Sequence, residues 1–191
     1  VSLMPPLAEI RHYLEGAWRL AKGAAGRMEH FDFSADGFWR SFWALVVIAP
    51  GYAILVADQY AQSDAPVAFW PTFSAEAISY LLGWAVFPVL AIWLTRMFGV
   101  AERYVPLIVT LNWSSMVQIA ALLVPVALTV VLSAAMIQFL MLLVTGAVLF
   151  YQGFIIKTAL DCTIGTAAMF LAADLVAVVI VNGLVFALLG L

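Results

Sequence analysis

Apolar residues fill this chain in long unbroken runs rather than in the alternating or widely spaced patterns of a soluble fold. The clearest run is Ile164 to Leu191, about 28 mostly apolar residues interrupted near the first third by Asp174. It exceeds the roughly 20 residues a helix needs to cross about 30 Å of hydrocarbon. Tyr104 to Ile156 holds no charge over about 53 positions, which is too long for one crossing and suits two. The turn within it is placed near Leu132-Ser133-Ala134, giving spans over about 104–132 and 135–156. Pro106 falls in the first turn of the former and Pro125 marks a kink. Two further spans precede these, about 38–57 with a kink at Pro50-Gly51 and about 77–95 with Pro88. The fifth is 164–191. Runs of this kind argue against a membrane β-barrel, whose strands alternate in segments of about ten residues. The pattern therefore predicts an all-α fold, a polytopic integral membrane helix bundle with five transmembrane helices over residues 38–191.

Residues 1–37 read differently. Between Pro5 and Gly23 the apolar positions Leu7, Ile10, Leu14, Ala17, Trp18 and Ala21 recur at helical spacing, with Arg11, Glu15, Arg19 and Lys22 mostly on other faces. This predicts an amphipathic helix. Trp18 with Arg11, Arg19 and Lys22 suits a helix lying in the headgroup layer, where anionic lipid attracts cations. A helix that caps the bundle through protein contacts fits the same pattern. Aromatic residues then crowd from Phe31 to Trp43 around the helix-starting Ser34 and Asp36. Trp39 and Trp43 are expected at the membrane interface, with Arg40 snorkelling back to the headgroups.

Charge sets the orientation. All eight Lys and Arg residues (Arg11, Arg19, Lys22, Arg27, Arg40, Arg96, Arg103, Lys157) lie in the N-terminal segment, after span two or after span four. The loop from Asp58 to Ser74, with Asp58 and Asp64, has none. The positive-inside rule gives a cytoplasmic N-terminus and a periplasmic C-terminus in a bacterial inner membrane. No cleavable signal peptide is expected, since the first segment is charged where an apolar core should be. Composition agrees: the chain is 66% hydrophobic and 10% charged, with a formal charge of −3 that argues against nucleic acid as a partner. The single cysteine, Cys162, has no partner for a disulfide and reads as a small apolar filler.

Asp174 is the sharpest candidate for chemistry. A charge at bilayer depth costs at least about 2.5 kcal/mol on insertion scales, so such a residue faces a bundle interior, a partner or water. It reads as a carboxylate handling protons or cations, as a hydrogen-bonded group that fixes helix packing, or as one close enough to the interface to reach water. Asn182 lies eight residues on and is expected on nearly the same face. Asn112, Ser114, Ser115 and Gln118 cluster on span three, while Gln138, Thr145 and Gln152 recur every seven residues on span four. These groups suit either a polar path with Asp174 or ordinary inter-helix hydrogen bonds. Glu29, His30 and Asp32, and His12 near Glu15, match no metal-site spacing, and neither a phosphate loop nor a nucleophile elbow occurs. No cofactor or metal is expected.

The aromatic entry FWRSFWALVVIAPGYAIL, the segments YVPLIV and FYQGFIIKTAL, and the compact apolar half from Tyr104 to Leu191 resemble the Yip family of membrane proteins in layout over about residues 38–191. The stretches GAWRLAKG and FDFSADGFWRSFW are also similar to uncharacterised bacterial inner-membrane proteins. The Yip-family resemblance implies five spans and a role in membrane organisation through protein partners rather than catalysis. The expected function is thus a non-enzymatic accessory or scaffold subunit, or a membrane-organising factor. Its partners would be membrane lipids and other membrane protein subunits or further copies of itself. The alternative is a small transporter or channel subunit built on Asp174 and the polar residues of spans three and four.

Overall fold

The computed structural model describes residues 5–23, 28–62 and 68–190, and helices account for most of them. They are α1 (Leu7–Ala21), α2 (Ala35–Ser41), α3 (Trp43–Ala61), α4 (Phe69–Met97), α5 (Tyr104–Ala127), α6 (Ala134–Leu160) and α7 (Ile164–Leu189). Among the described residues, five segments are long and apolar enough to cross a membrane: 35–61, 69–97, 101–130, 134–160 and 164–189. Arg27, Asp64 and Leu191 lie outside the described residues.

Local chemistry sets the boundaries. The Ser34, Ser133 and Thr163 hydroxyls each accept a hydrogen bond from a backbone N–H three residues on, capping α2, α6 and α7. Ser133 therefore places the reversal between α5 and α6 where the sequence reading has it, after a short 3-10 turn at Leu128–Val130. Three spans run beyond their expected limits, the first over 35–61 instead of 38–57. The fourth continues to Leu160 and ends at Asp161, whose φ of 50° is a left-handed conformation that Asp tolerates. The second starts at Phe69 rather than 77. Its Pro71 falls in the first turn, where a missing N–H breaks no intrahelical bond. The first span is interrupted at Phe42, between α2 and α3.

Helix α5 is central. It packs against α1, α2, α3 and α6, while α7 packs against α4 and α6. In its most apolar stretch 44% of residues are buried, against 17% or less in the other four spans. The core is concentrated at one end of the bundle. Phe87 and Ala91 of α4, Leu107 and Ile108 of α5, Ile156, Ala159 and Leu160 of α6, and Ala167 and Phe170 of α7 form one buried cluster. At 1.5 Å per residue, all lie within about 15 Å of the helix ends that carry Arg96, Arg103 and Lys157. A second cluster joins Tyr13, Ala17 and Phe31 to Ala44, Ile48, Val109, Trp113 and Met116, seating α1 on α3 and α5.

Close approach explains two glycines near that seat. A Cβ at Gly37 would strike the Asp32 backbone carbonyl, and one at Gly16 would lie 2.5 Å from the His30 Cβ. The returning segment can therefore lie directly on α1, with the His12 and His30 rings stacked at 5.1 Å.

Candidate functional site

The polar residues singled out in the sequence are distributed over several places. Gln152 of α6 donates from Nε2 to Asp174 Oδ2 at 2.6 Å, so one amide of the expected stripe does meet the carboxylate, which is half-buried. Asn182 does not share that setting. It is exposed, and eight residues at 100° each place it about 80° around α7 from Asp174. Gln138 and Thr145 are exposed as well. Asn112 is buried and donates to the Ser41 hydroxyl at 2.9 Å, which in turn donates to the Phe38 carbonyl, tying α5 to α2. Gln118 lines a cavity of about 570 Å³ between the end of α1, α5 and α6.

The expected interface residues divide in two. Arg11, Trp18, Arg19, Lys22 and Trp39 are exposed, with Lys22 Nζ 4.9 Å above the Trp18 ring and Arg19 bonded to Glu15 at 3.0 Å. That bond from Arg19 holds the Glu15 carboxyl below its usual range. Trp43 is half-buried. Arg40 is turned inward: its guanidinium pairs with Glu9 of α1 at 3.2 Å instead of reaching outward, because α1 lies beside it. Tyr13 donates to the same carboxylate at 3.0 Å, and burial, reinforced by that bond, raises its phenol. The Tyr151 hydroxyl donates at 2.7 Å to the Ala17 carbonyl, so α6 also holds α1.

These contacts change the reading of α1. The face against the bundle is Tyr13, Gly16, Ala17 and Leu20, whereas Leu7, Leu14, Trp18 and Ala21 of the expected apolar stripe are exposed. The helix thus has an inner face fitted to protein and an outer apolar edge flanked by Arg11, Arg19 and Lys22.

A second carboxylate was not anticipated. Glu76 of α4 accepts hydrogen bonds from Tyr60 at 2.8 Å and Tyr52 at 2.9 Å, one on each carboxylate oxygen. Tyr80, one turn after Glu76, stacks on Tyr52 with ring centroids 4.6 Å apart and donates to the Leu45 carbonyl. These tyrosines bridge α3 and α4 beside a groove of about 520 Å³. Ala49, Ala53 and Ala57 form its α3 wall, and Phe69 and Phe73 extend it on α4. Treating 58–74 as a loop left Glu76 outside the second span and hid it. The available signal was the Glu76/Tyr80 pair at i, i+4, which shares a helix face only once the helix starts at Phe69.

Burial raises the Cys162 thiol, which lowers its thiolate fraction and with it its reactivity. Among the described residues, no three His, Cys, Asp or Glu side chains are grouped so as to hold a metal ion. No family model matches this chain, and neither a curated protein nor a solved structure matches it.

Proposed function

We propose that this chain is a non-enzymatic inner-membrane protein acting through lateral helix contacts, as an accessory or scaffold subunit of a membrane complex or as a membrane-organising factor. The observation carrying this reading is on the half of α6 and α7 away from the buried core. Gln138, Thr145 and Asn182 are exposed there, beside Gly146 and Gly183, where an added Cβ would meet nothing within 4 Å. Polar side chains in hydrocarbon seek partners on a neighbouring helix, and glycines let that helix come close. A second membrane protein, or a second copy, satisfies both features. The layout resemblance to the Yip family points the same way.

The level of α1 supports a placement in the bilayer. Trp113 lies nine residues from the start of α5 and Tyr151 nine from the end of α6, so α1 crosses the bundle about 13 Å from the basic helix ends. A hydrocarbon boundary at that level leaves Arg11, Arg19 and Lys22 in the headgroup layer with Trp18, Trp39 and Trp43 nearby. From there to Phe69 at the start of α4 is about 29 Å, close to one hydrocarbon thickness. The exposed Trp70 then falls in the opposite aromatic belt. Asp174, about 15 Å from the start of α7, comes to the boundary, and its bond from Gln152 reads as a packing contact between α6 and α7. The basic end faces the cytoplasm by the positive-inside rule.

Mass spectrometry of the complex purified in mild detergent tests the reading. A second membrane protein or a further copy is expected at fixed stoichiometry, and it should be lost from the Gln138→Leu, Asn182→Leu double variant. Recovery of a lone chain from native membranes, or a partner indifferent to the double variant, overturns it.

A further inference from the structure

We propose that the groove between α3 and α4 binds a hydrophobic organic cation, an amine or onium group carried on an apolar body, with Glu76 as its counter-charge. The proposal goes beyond lateral contacts but rests on the bilayer placement above.

Glu76 lies 21 residues from the basic end of α4, about 31 Å along its axis, and so about 18 Å below the boundary marked by α1 and about 10 Å from the far one. It therefore lies deeper in the hydrocarbon than Asp174. A charge at that depth requires a counter-charge or a proton. Residues 58–74 contain no Lys or Arg, and among the described residues no cation pairs with Glu76. Along the two helices, the next basic residues are Arg96, about 30 Å from Glu76, and Arg40, about 18 Å from Tyr52. The ion pairs among the described residues all lie elsewhere, at Arg19, Arg40 and Arg103. The two phenols orient the carboxylate without neutralising it.

The surroundings select the ligand. The groove has the volume of a site for a drug-sized molecule and is walled by alanines and aromatic rings. Tyr52, Tyr60 and Tyr80 present ring faces or edges close to the carboxylate, and aromatic faces attract desolvated cations. A free monocation with an apolar body satisfies the charge, the rings and the alanine wall together. A zwitterionic phospholipid fits less well, because its phosphate would be drawn toward Glu76 below headgroup depth.

The test uses the full chain in nanodiscs with radiolabelled tetraphenylphosphonium as probe. Saturable binding is expected, weakened about tenfold or more by Glu76→Gln and retained by Asp174→Asn. Ala53→Trp, which fills the groove and leaves the carboxylate in place, should abolish binding even if the Gln variant folds poorly. Uncharged tetraphenylmethane should not compete. Equal binding to the Gln or Trp variant, competition by the neutral analogue, or a stoichiometric phospholipid lost on Glu76→Gln each overturns the proposal. Failure of the chain to enter nanodiscs as an integral protein overturns the bilayer placement instead, and the groove proposal falls with it.

Discussion

The two ends of this bundle are built by different rules. At the basic end a group of large apolar side chains is hidden, with Phe170, Leu107, Ile155 and Ile156 fully buried, although Trp39, Trp93, Met97 and Ile164 on its outer surface are exposed. At the opposite end such side chains face outward: Trp70 is 72% exposed, Val130 86% and Leu188 84%. Both ends are made of similar residues, so the difference fits the proposed placement, in which each end meets a different solvent. Water expels apolar surface, whereas lipid tails are as apolar as leucine and give helices no hydrophobic reason to associate. A core concentrated toward the basic end is what the proposed bilayer placement would give, with the helix ends about 13 Å beyond the hydrocarbon and the remainder within it.

The largest predicted effect sets the two ends directly against each other. Phe170→Ala should destabilise the protein by about 3–5 kcal/mol, because it removes a fully buried ring and leaves a cavity. Leu188→Ala should change stability by less than about 0.5 kcal/mol. Denaturation in detergent, followed by circular dichroism, measures both, and equal losses would refute the division. Next comes Gly37→Ala, which drives a methyl group into the Asp32 backbone and should cost about 1–3 kcal/mol. A neutral result there would mean that residues 32–37 can shift freely, contrary to a tight seat for α1.

Arg40→Ala tests what fixes α1 at its level. The pair with Glu9 is three-quarters or more shielded, at 23% and 19% side-chain exposure, so its loss should cost about 1–2 kcal/mol. Amide exchange over residues 7–21 should quicken while that of α5 stays unchanged. Smallest is the Gln152–Asp174 bond. A double-mutant cycle with Gln152→Leu and Asp174→Asn should return a coupling of about 0.6 kcal/mol, the average for such bonds between membrane helices. A coupling several times larger would show that the site is far drier than its proposed position near the boundary implies.

What the sequence disclosed depended on whether a signal was local. The long runs around Leu142 and Val179 declared their helices without any neighbour. Ser133 marked a turn because a cap is chemistry within one turn of chain. Residues whose role is decided across helices were not legible in the same way. Nothing near Gln138 distinguishes it from Gln152, yet one is exposed and the other meets Asp174. The spacing of α1 revealed an apolar stripe but not that Tyr13 would take the inner face with Ala17, since that is set by packing against Trp113 and Met116 of α5. Glu76 was missed because its two partners, Tyr52 and Tyr60, lie on another helix.

The bond from Tyr151 to the Ala17 carbonyl has a consequence for biogenesis. Its two residues are 134 positions apart, so at about 5–20 residues per second the acceptor leaves the ribosome roughly 7–27 s before its donor exists. Helix α1 is made first and can be locked last. During that interval Trp113 also has yet to appear, and Tyr13 and Leu20 have no protein surface to cover them. In the proposed orientation the cytoplasmic leaflet would be the apolar phase within reach, and with two apolar edges α1 could wait there until α5 and α6 are inserted and then turn its inner edge onto them.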